Sequence, residues 1–170
     1  MKWAGIIVSG IVLVIALVAL IGTLLPKSHR ASRRAVFHKP AEEVYQAVAG
    51  TPEWRSDVKR YEPLLAENGR ARWREYDSHG GKVTFELVED SPPSRRAVRI
   101  ADEDLPFGGT WTFEITPTAG GSELRVTEDG EVYNVIFRFV SRFIMGYNGS
   151  LETYLRDLGK KFGESVTPLP

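Results

Sequence analysis

The sequence predicts an α+β fold, an antiparallel sheet followed by a long C-terminal helix and preceded by one transmembrane helix. Three observations predict it. Between Ala71 and Val126, short segments alternate apolar and polar residues and are separated by turn residues, the pattern of half-buried antiparallel strands. From Val132 to Phe162 apolar residues recur at steps of three or four, the spacing of a helix face. From Trp3 to Pro26 no side chain is charged.

The uncharged run Ala4–Leu25 consists mainly of Ile, Val, Leu and Ala with a few small residues. As a helix it reaches roughly 33 Å, enough to cross a hydrocarbon core of about 30 Å. Its rival reading is a cleaved secretory signal, whose apolar stretch usually spans about 7–15 residues before a small-x-small site. This run is longer and ends in Leu24-Leu25-Pro26-Lys27, a poor cleavage context. A buried core helix fits least, since an amphipathic core helix would present a polar face. Only Lys2 precedes the span, whereas Lys27, Arg30, Arg33, Arg34 and Lys39 follow it. That asymmetry predicts a soluble domain on the cytoplasmic side, its basic flank close to anionic headgroups. The absence of cysteine excludes disulfides and suits either side. With 22 Lys and Arg against 22 Asp and Glu, the chain lacks the basic excess of a nucleic-acid module. The expected organisation is an anchor over 1–26, a basic linker over 27–31, one domain over 32–163 and a tail over 164–170.

Beyond the linker, Ala35-Val36-Phe37 reads as a brief strand. Pro40 suits the first position of a helix, Glu42 and Glu43 suit its positive end, and Gly50 stops it. Thr51-Pro52-Glu53 resembles a second helix start, with Trp54 and Val58 on its inner face. Strands follow over Ala71–Tyr76, Lys82–Glu89 and Arg95–Ile100, then around Trp111–Ile115 and Leu124–Val126. Their breaks are Asp77-Ser78-His79-Gly80-Gly81, Asp90-Ser91-Pro92-Pro93, Gly108-Gly109 and Ala119-Gly120-Gly121. Gly146 and Gly149 weaken the final helical stretch, which is therefore two helices or one with a bend.

This order, and the segments KPAEEVYQAVAGTPEWRSDV (39–58), WREYDSHGGKVTFEL (73–87) and EDGEVYNVIFRFVSRFIMGYNGSLETYLRDL (128–158), resemble the START-like (SRPBCC) superfamily. That superfamily includes birch-pollen-allergen-like and polyketide cyclase/dehydrase-like lipid-transport domains, and the likeness extends to its membrane-anchored bacterial members. The resemblance covers roughly residues 32–163. It implies a helix-grip fold, a curved antiparallel sheet wrapped around the C-terminal helix, with an apolar cavity between them. It also implies binding of a lipid or other hydrophobic small molecule, with cyclase or dehydrase chemistry in some members. The family has no universal catalytic residue, so the fold leaves the chemistry open.

Strand parity puts Trp73 and Glu75 on one face, and Glu128 with Leu124 and Val126 on another. A carboxylate facing a cavity is costly unless hydrogen-bonded or protonated, which makes Glu75 and Glu128 acid/base candidates. The plainer alternative places both at strand ends, satisfied by water or by Arg74, Arg96 or Arg99. Trp54, Trp73, Phe85, Trp111, Phe113, Phe143 and Tyr147 are candidate cavity residues, with ordinary core packing as the alternative. His29, His38 and His79 show no metal spacing, and no P-loop, nucleophile elbow or dinucleotide fingerprint is present. No metal or cofactor is expected. Arg138 and Arg142, one turn apart among Phe137, Phe139 and Ile144, form a candidate bilayer-touching surface or else a solvated face.

The function expected is a membrane-tethered binder of a hydrophobic molecule. Its alternatives are a cyclase/dehydrase-like enzyme using a cavity carboxylate and a tyrosine, and a ligand-free protein-interaction domain.

Overall fold

A computed structural model describes residues 2–170. Helix α1 (Lys2–Leu24) is followed by β1 (Ser28–Phe37), α2 (Ala41–Ala49) and a 3₁₀ turn (Pro52–Trp54). Six further strands follow: β2 (Arg60–Glu67), β3 (Arg70–Tyr76), β4 (Lys82–Ser91), β5 (Arg95–Ile100), β6 (Phe107–Thr118) and β7 (Gly121–Val132). The chain ends in α3 (Val135–Val140), a π-helical turn (Ser141–Met145) and α4 (Gly149–Lys161). The seven strands form one antiparallel sheet in the order β1-β7-β6-β5-β4-β3-β2. This is the helix-grip arrangement.

The core lies where α2 and α4 cover the β1, β7 and β6 part of the sheet. Leu151, Leu155 and Leu158, spaced by four and three, give α4 a fully buried stripe against Phe37, Leu124 and Val126. Each such leucine contributes about 1.5–3 kcal/mol by leaving water. Asp157, also buried, turns toward the 3₁₀ turn and accepts the Ser56 amide at 2.8 Å. That bond ties α4 to the segment carrying Trp54 and Arg55.

Several elements differ from the expectation. Residues 28–31, read as linker, begin β1, which pairs along all of β7 from Ser28↔Glu131 to Phe37↔Ser122. Before Phe37 its buried residues are only the small Ala31 and Ala35, with polar residues between, so composition mimicked a linker. The C-terminal tail is also engaged, because Leu169 exchanges both backbone hydrogen bonds with Arg34 at 2.8 and 2.9 Å. The second helix is only a 3₁₀ turn. The Ser56 amide goes to Asp157 and Arg55 is extended, so the helix does not continue past Trp54. Strand β2 escaped notice because it is a mostly exposed edge strand interrupted by Pro63, tolerated where no neighbour needs its amide.

The C-terminal helical stretch is two helices. Gly146 adopts φ 72°, a left-handed conformation costly for other residues, and the helical path breaks there between the π turn and α4. Within α1, Ile6–Leu24 is long and apolar enough to cross a membrane, and its side chains from Ile6 to Leu17 are exposed. Its last turns pack on α3. Gly22 sits so close to the Val135 carbonyl that a Cβ would lie 2.0 Å from its oxygen. Arg138 is not on a bilayer-facing surface. Its buried guanidinium donates to the carbonyls of Gly22 (3.0 Å), Leu25 (3.1 Å) and Val132 (3.1 Å); that of Gly22 lies in the last turn of α1, where carbonyls lack intrahelical partners.

Candidate ligand cavity

A cavity of about 420 Å³ opens between the concave sheet face and the α2–α4 side. Cross-strand pairing builds its wall. Trp73 on β3 lies opposite Phe85 on β4, which lies opposite Ile100 on β5. One step along, Val98 faces Trp111 on β6, and Trp111 faces Glu128 on β7. Alternation sends each of these to the same face, and the Trp73 and Phe85 rings stack at 5.8 Å. Phe113 continues the wall toward α4, where Tyr154 closes it at 5.2 Å between rings. Trp54 lines the opposite side and meets Tyr154 edge-on at 5.1 Å.

Five of the seven candidate aromatics therefore line the cavity: Trp54, Trp73, Phe85, Trp111 and Phe113. Phe143 and Tyr147 do not. Phe143 is exposed and packs on Phe139 at 4.9 Å, while Tyr147 stacks on His29 at 3.8 Å. Both fit the spacing of the helical stripe, but the helical path breaks at the left-handed Gly146, after Phe143 and just before Tyr147, and neither residue lies within α4.

Both candidate carboxylates line the cavity, in different states. Glu75 accepts the Arg55 guanidinium at 2.8 Å and the Trp73 indole N–H at 3.0 Å. Arg55 also holds Asp57 at 2.6 Å and lies 5.5 Å over the Tyr154 ring. Glu75 is thus part of a closed polar cluster, and its partner is Arg55 rather than Arg74, Arg96 or Arg99. Glu128 is different. Burial pushes its carboxyl above the usual range, with the Trp111 side chain opposing the shift. Its basic neighbour is His29, whose Nε2 is 3.9 Å away and which burial pushes below the usual imidazole range. Both groups are therefore biased toward neutrality. Burial also raises the Tyr154 phenol.

Sequence reading missed Arg55, Tyr154 and Arg96 as lining residues. Arg96 shares the parity of Val98 and Ile100, so strand alternation did carry a signal for it. Arg55 follows a 3₁₀ turn and carried none. Among the described residues, no group of three or more His, Cys, Asp or Glu could hold a metal ion. The site is an aromatic chamber with one satisfied ion-pair cluster, one desolvated acid and a buried Trp54 Nε1 without a hydrogen-bond acceptor.

The chain's fold is shared widely. It is similar to a Mesorhizobium loti protein, with 15% identity over 79% of this chain and 97% of that one, at a TM-score of 0.59. The di-domain ARO/CYC StfQ from the steffimycin biosynthetic pathway aligns at TM-score 0.62 and 13% identity, over 80% of this chain and 52% of its own. Norcoclaurine synthase from Thalictrum flavum aligns at 0.60 and 12%, over 81% and 87%. No curated protein matches the sequence. At these identities the structural neighbours establish the START-like fold alone. Over residues 28–162, from the first strand to the end of α4, the sequence itself matches a family, and the chain belongs to the polyketide cyclase/dehydrase and lipid transport family.

Proposed function

We propose that the protein is a membrane-tethered module that binds a hydrophobic small molecule or lipid between its sheet and α4. The observation that carries this reading is the aromatic-walled cavity of about 420 Å³, within the range of about 300–1,000 Å³ typical of small-ligand sites. Its volume favours ligand binding over a domain packed shut by its own aromatics. In this reading α1 is the tether and residues 28–170 act as one domain beside the bilayer. Arg30, Arg33 and Arg34 pair with Asp129, Glu152 and Glu123, so Lys27 and the well-exposed Arg30 are what remains of the basic flank that argues for the cytoplasmic side.

Binding of the apolar fluorophore N-phenylnaphthylamine to the detergent-solubilised full chain tests the site. The native protein is expected to bind it, and Ile100→Trp, which fills the cavity wall, to weaken binding by roughly tenfold or more, about 1.4 kcal/mol. Phe143→Ala, outside the cavity, should bind as the native protein does. Absence of native binding, or unaltered binding by Ile100→Trp, would sink the proposal.

A second reading, an acid/base enzyme of the cyclase/dehydrase kind, is favoured by Glu128 alone. A buried acid biased toward its protonated form can donate a proton, and Tyr154 supplies a neutral hydroxyl in the same cavity. The raised carboxyl also has a stability signature. Its folded form holds a proton that the unfolded chain releases near the ordinary value of 4.5, so stability falls as pH rises from there through the folded value. Glu128→Gln is therefore expected to match the native protein near pH 4 and to exceed it increasingly toward about pH 7 in denaturant unfolding. A constant difference across that range would remove Glu128 as a desolvated acid.

A further inference from the structure

The segment Val135–Met145 has inverted amphipathicity. Of its three polar residues, Arg138 and Ser141 are buried, at 4% and 7% exposure, and Arg142 is exposed, a cation suited to headgroup phosphates. Ile136, Phe143, Ile144 and Met145 are turned outward at 44–71%. In a water-bathed surface helix the arrangement would be the reverse. Four outward apolar side chains within ten residues form a patch rather than scattered exposure.

The position of this patch says what covers it. Among the described side chains of α1, those shielded from the surroundings are at Val18, Ala19, Ile21 and Gly22, all in its last two turns. The element packed on α1 is α3. Two helical turns are about 10 Å, the depth to which interfacial helices bury their apolar faces, about 5–10 Å. Gly22 against Val135, and Arg138 bonded to the Gly22 and Leu25 carbonyls, lock the two elements together. The exposed apolar surface of α1 thus continues onto the α3–π segment. On the inner side, Phe137 approaches the cavity residue Phe107 at 6.1 Å between rings.

We propose that residues 135–145 insert into the adjoining leaflet beside α1, giving the domain a second membrane contact that backs onto the ligand cavity. The inference rests on α1 spanning the bilayer. Its occupant is the lipid bilayer itself, and its outward side chains replace headgroup-level lipid contacts.

The chain has no cysteine, so single labelled positions can be introduced without background. Ile144→Cys, Leu13→Cys in α1 and Ser78→Cys in the β3–β4 turn are each coupled to an environment-sensitive fluorophore. The full chain is then reconstituted into phosphatidylcholine–phosphatidylglycerol vesicles. Quenching is compared between aqueous iodide and lipids bearing a nitroxide near the headgroup or deep in the acyl chain. The expected result is that Ile144→Cys loses most of its emission to the shallow nitroxide and little to iodide. Leu13→Cys responds to the deep nitroxide, and Ser78→Cys to iodide alone. Iodide quenching at Ile144→Cys with lipid quenching retained at Leu13→Cys overturns the insertion and leaves the tether standing. Protection of Ile144→Cys from both quenchers, as a second copy of the chain over the patch would produce, also overturns it. Loss of lipid quenching at Leu13→Cys removes the tether and this inference together.

Discussion

Arg138→Leu is expected to lower the unfolding free energy of the detergent-solubilised chain by about 2–4 kcal/mol. The guanidinium is buried and donates to four backbone carbonyls, those of Val132, Gly22, Leu25 and Tyr133. Leucine fills part of the volume but leaves those acceptors unpaired, and each buried orphan costs about 1–3 kcal/mol, reduced where water reaches it. Arg138→Lys keeps the charge but loses the planar fork, so it should fall between the two. The comparison is Arg142→Leu, an exposed neighbour four residues on, expected within about 0.5 kcal/mol of the native protein. Trypsin cleavage near Lys27 should also accelerate in Arg138→Leu, since the end of α1 would no longer be fastened to α3. Equal losses for Arg138→Leu and Arg142→Leu would show that the clamp does not stabilise the chain.

The second large effect is expected at the floor of the cavity. Arg55→Met should destabilise the chain by about 3 kcal/mol or more, because it strands the Glu75 carboxylate with the Trp73 indole as its remaining donor. The side chains of Arg55 and Glu75 are only 16% and 10% exposed, so water cannot replace the lost partner fully. The penalty belongs to the stranded charge rather than to the net worth of the pair. Adding Glu75→Gln to Arg55→Met should therefore recover a large part of the loss. Additive effects in that double-mutant cycle, measured by denaturant unfolding, would refute the assignment.

Strand parity made most of the cavity legible beforehand. Once β3 to β7 were recognised by alternation, Trp73, Glu75, Phe85, Trp111, Phe113 and Glu128 had to share the faces on which they are found. What alternation cannot show is where a helix stops. Phe143 and Tyr147 match the helical stripe in spacing, yet the helical path breaks at the left-handed Gly146 and neither residue lies within α4. Nor does local pattern reveal a partner distant in sequence. Arg55 finds Glu75 across 20 residues and Arg138 finds Gly22 across 116, and in each case the pairing depends on tertiary approach. The first part of β1 was hidden for a compositional reason, since Ala31 among polar residues carries too little apolar contrast to stand out from a polar linker.

The joint between α1 and the sheet has a further consequence. Only Leu25 to Lys27 separate the last residue of α1 from the first of β1, and the Lys27 carbonyl already accepts the Val132 amide at 2.8 Å. With α1 in a bilayer, such a joint gives the domain almost no swing, and it travels as a rigid passenger of its own helix. Whatever it binds or serves must then be met by lateral diffusion within one membrane sheet. Occupancy would follow the number of copies per unit area of that membrane rather than per volume of solution, and dilution of the surrounding solution would leave it unchanged.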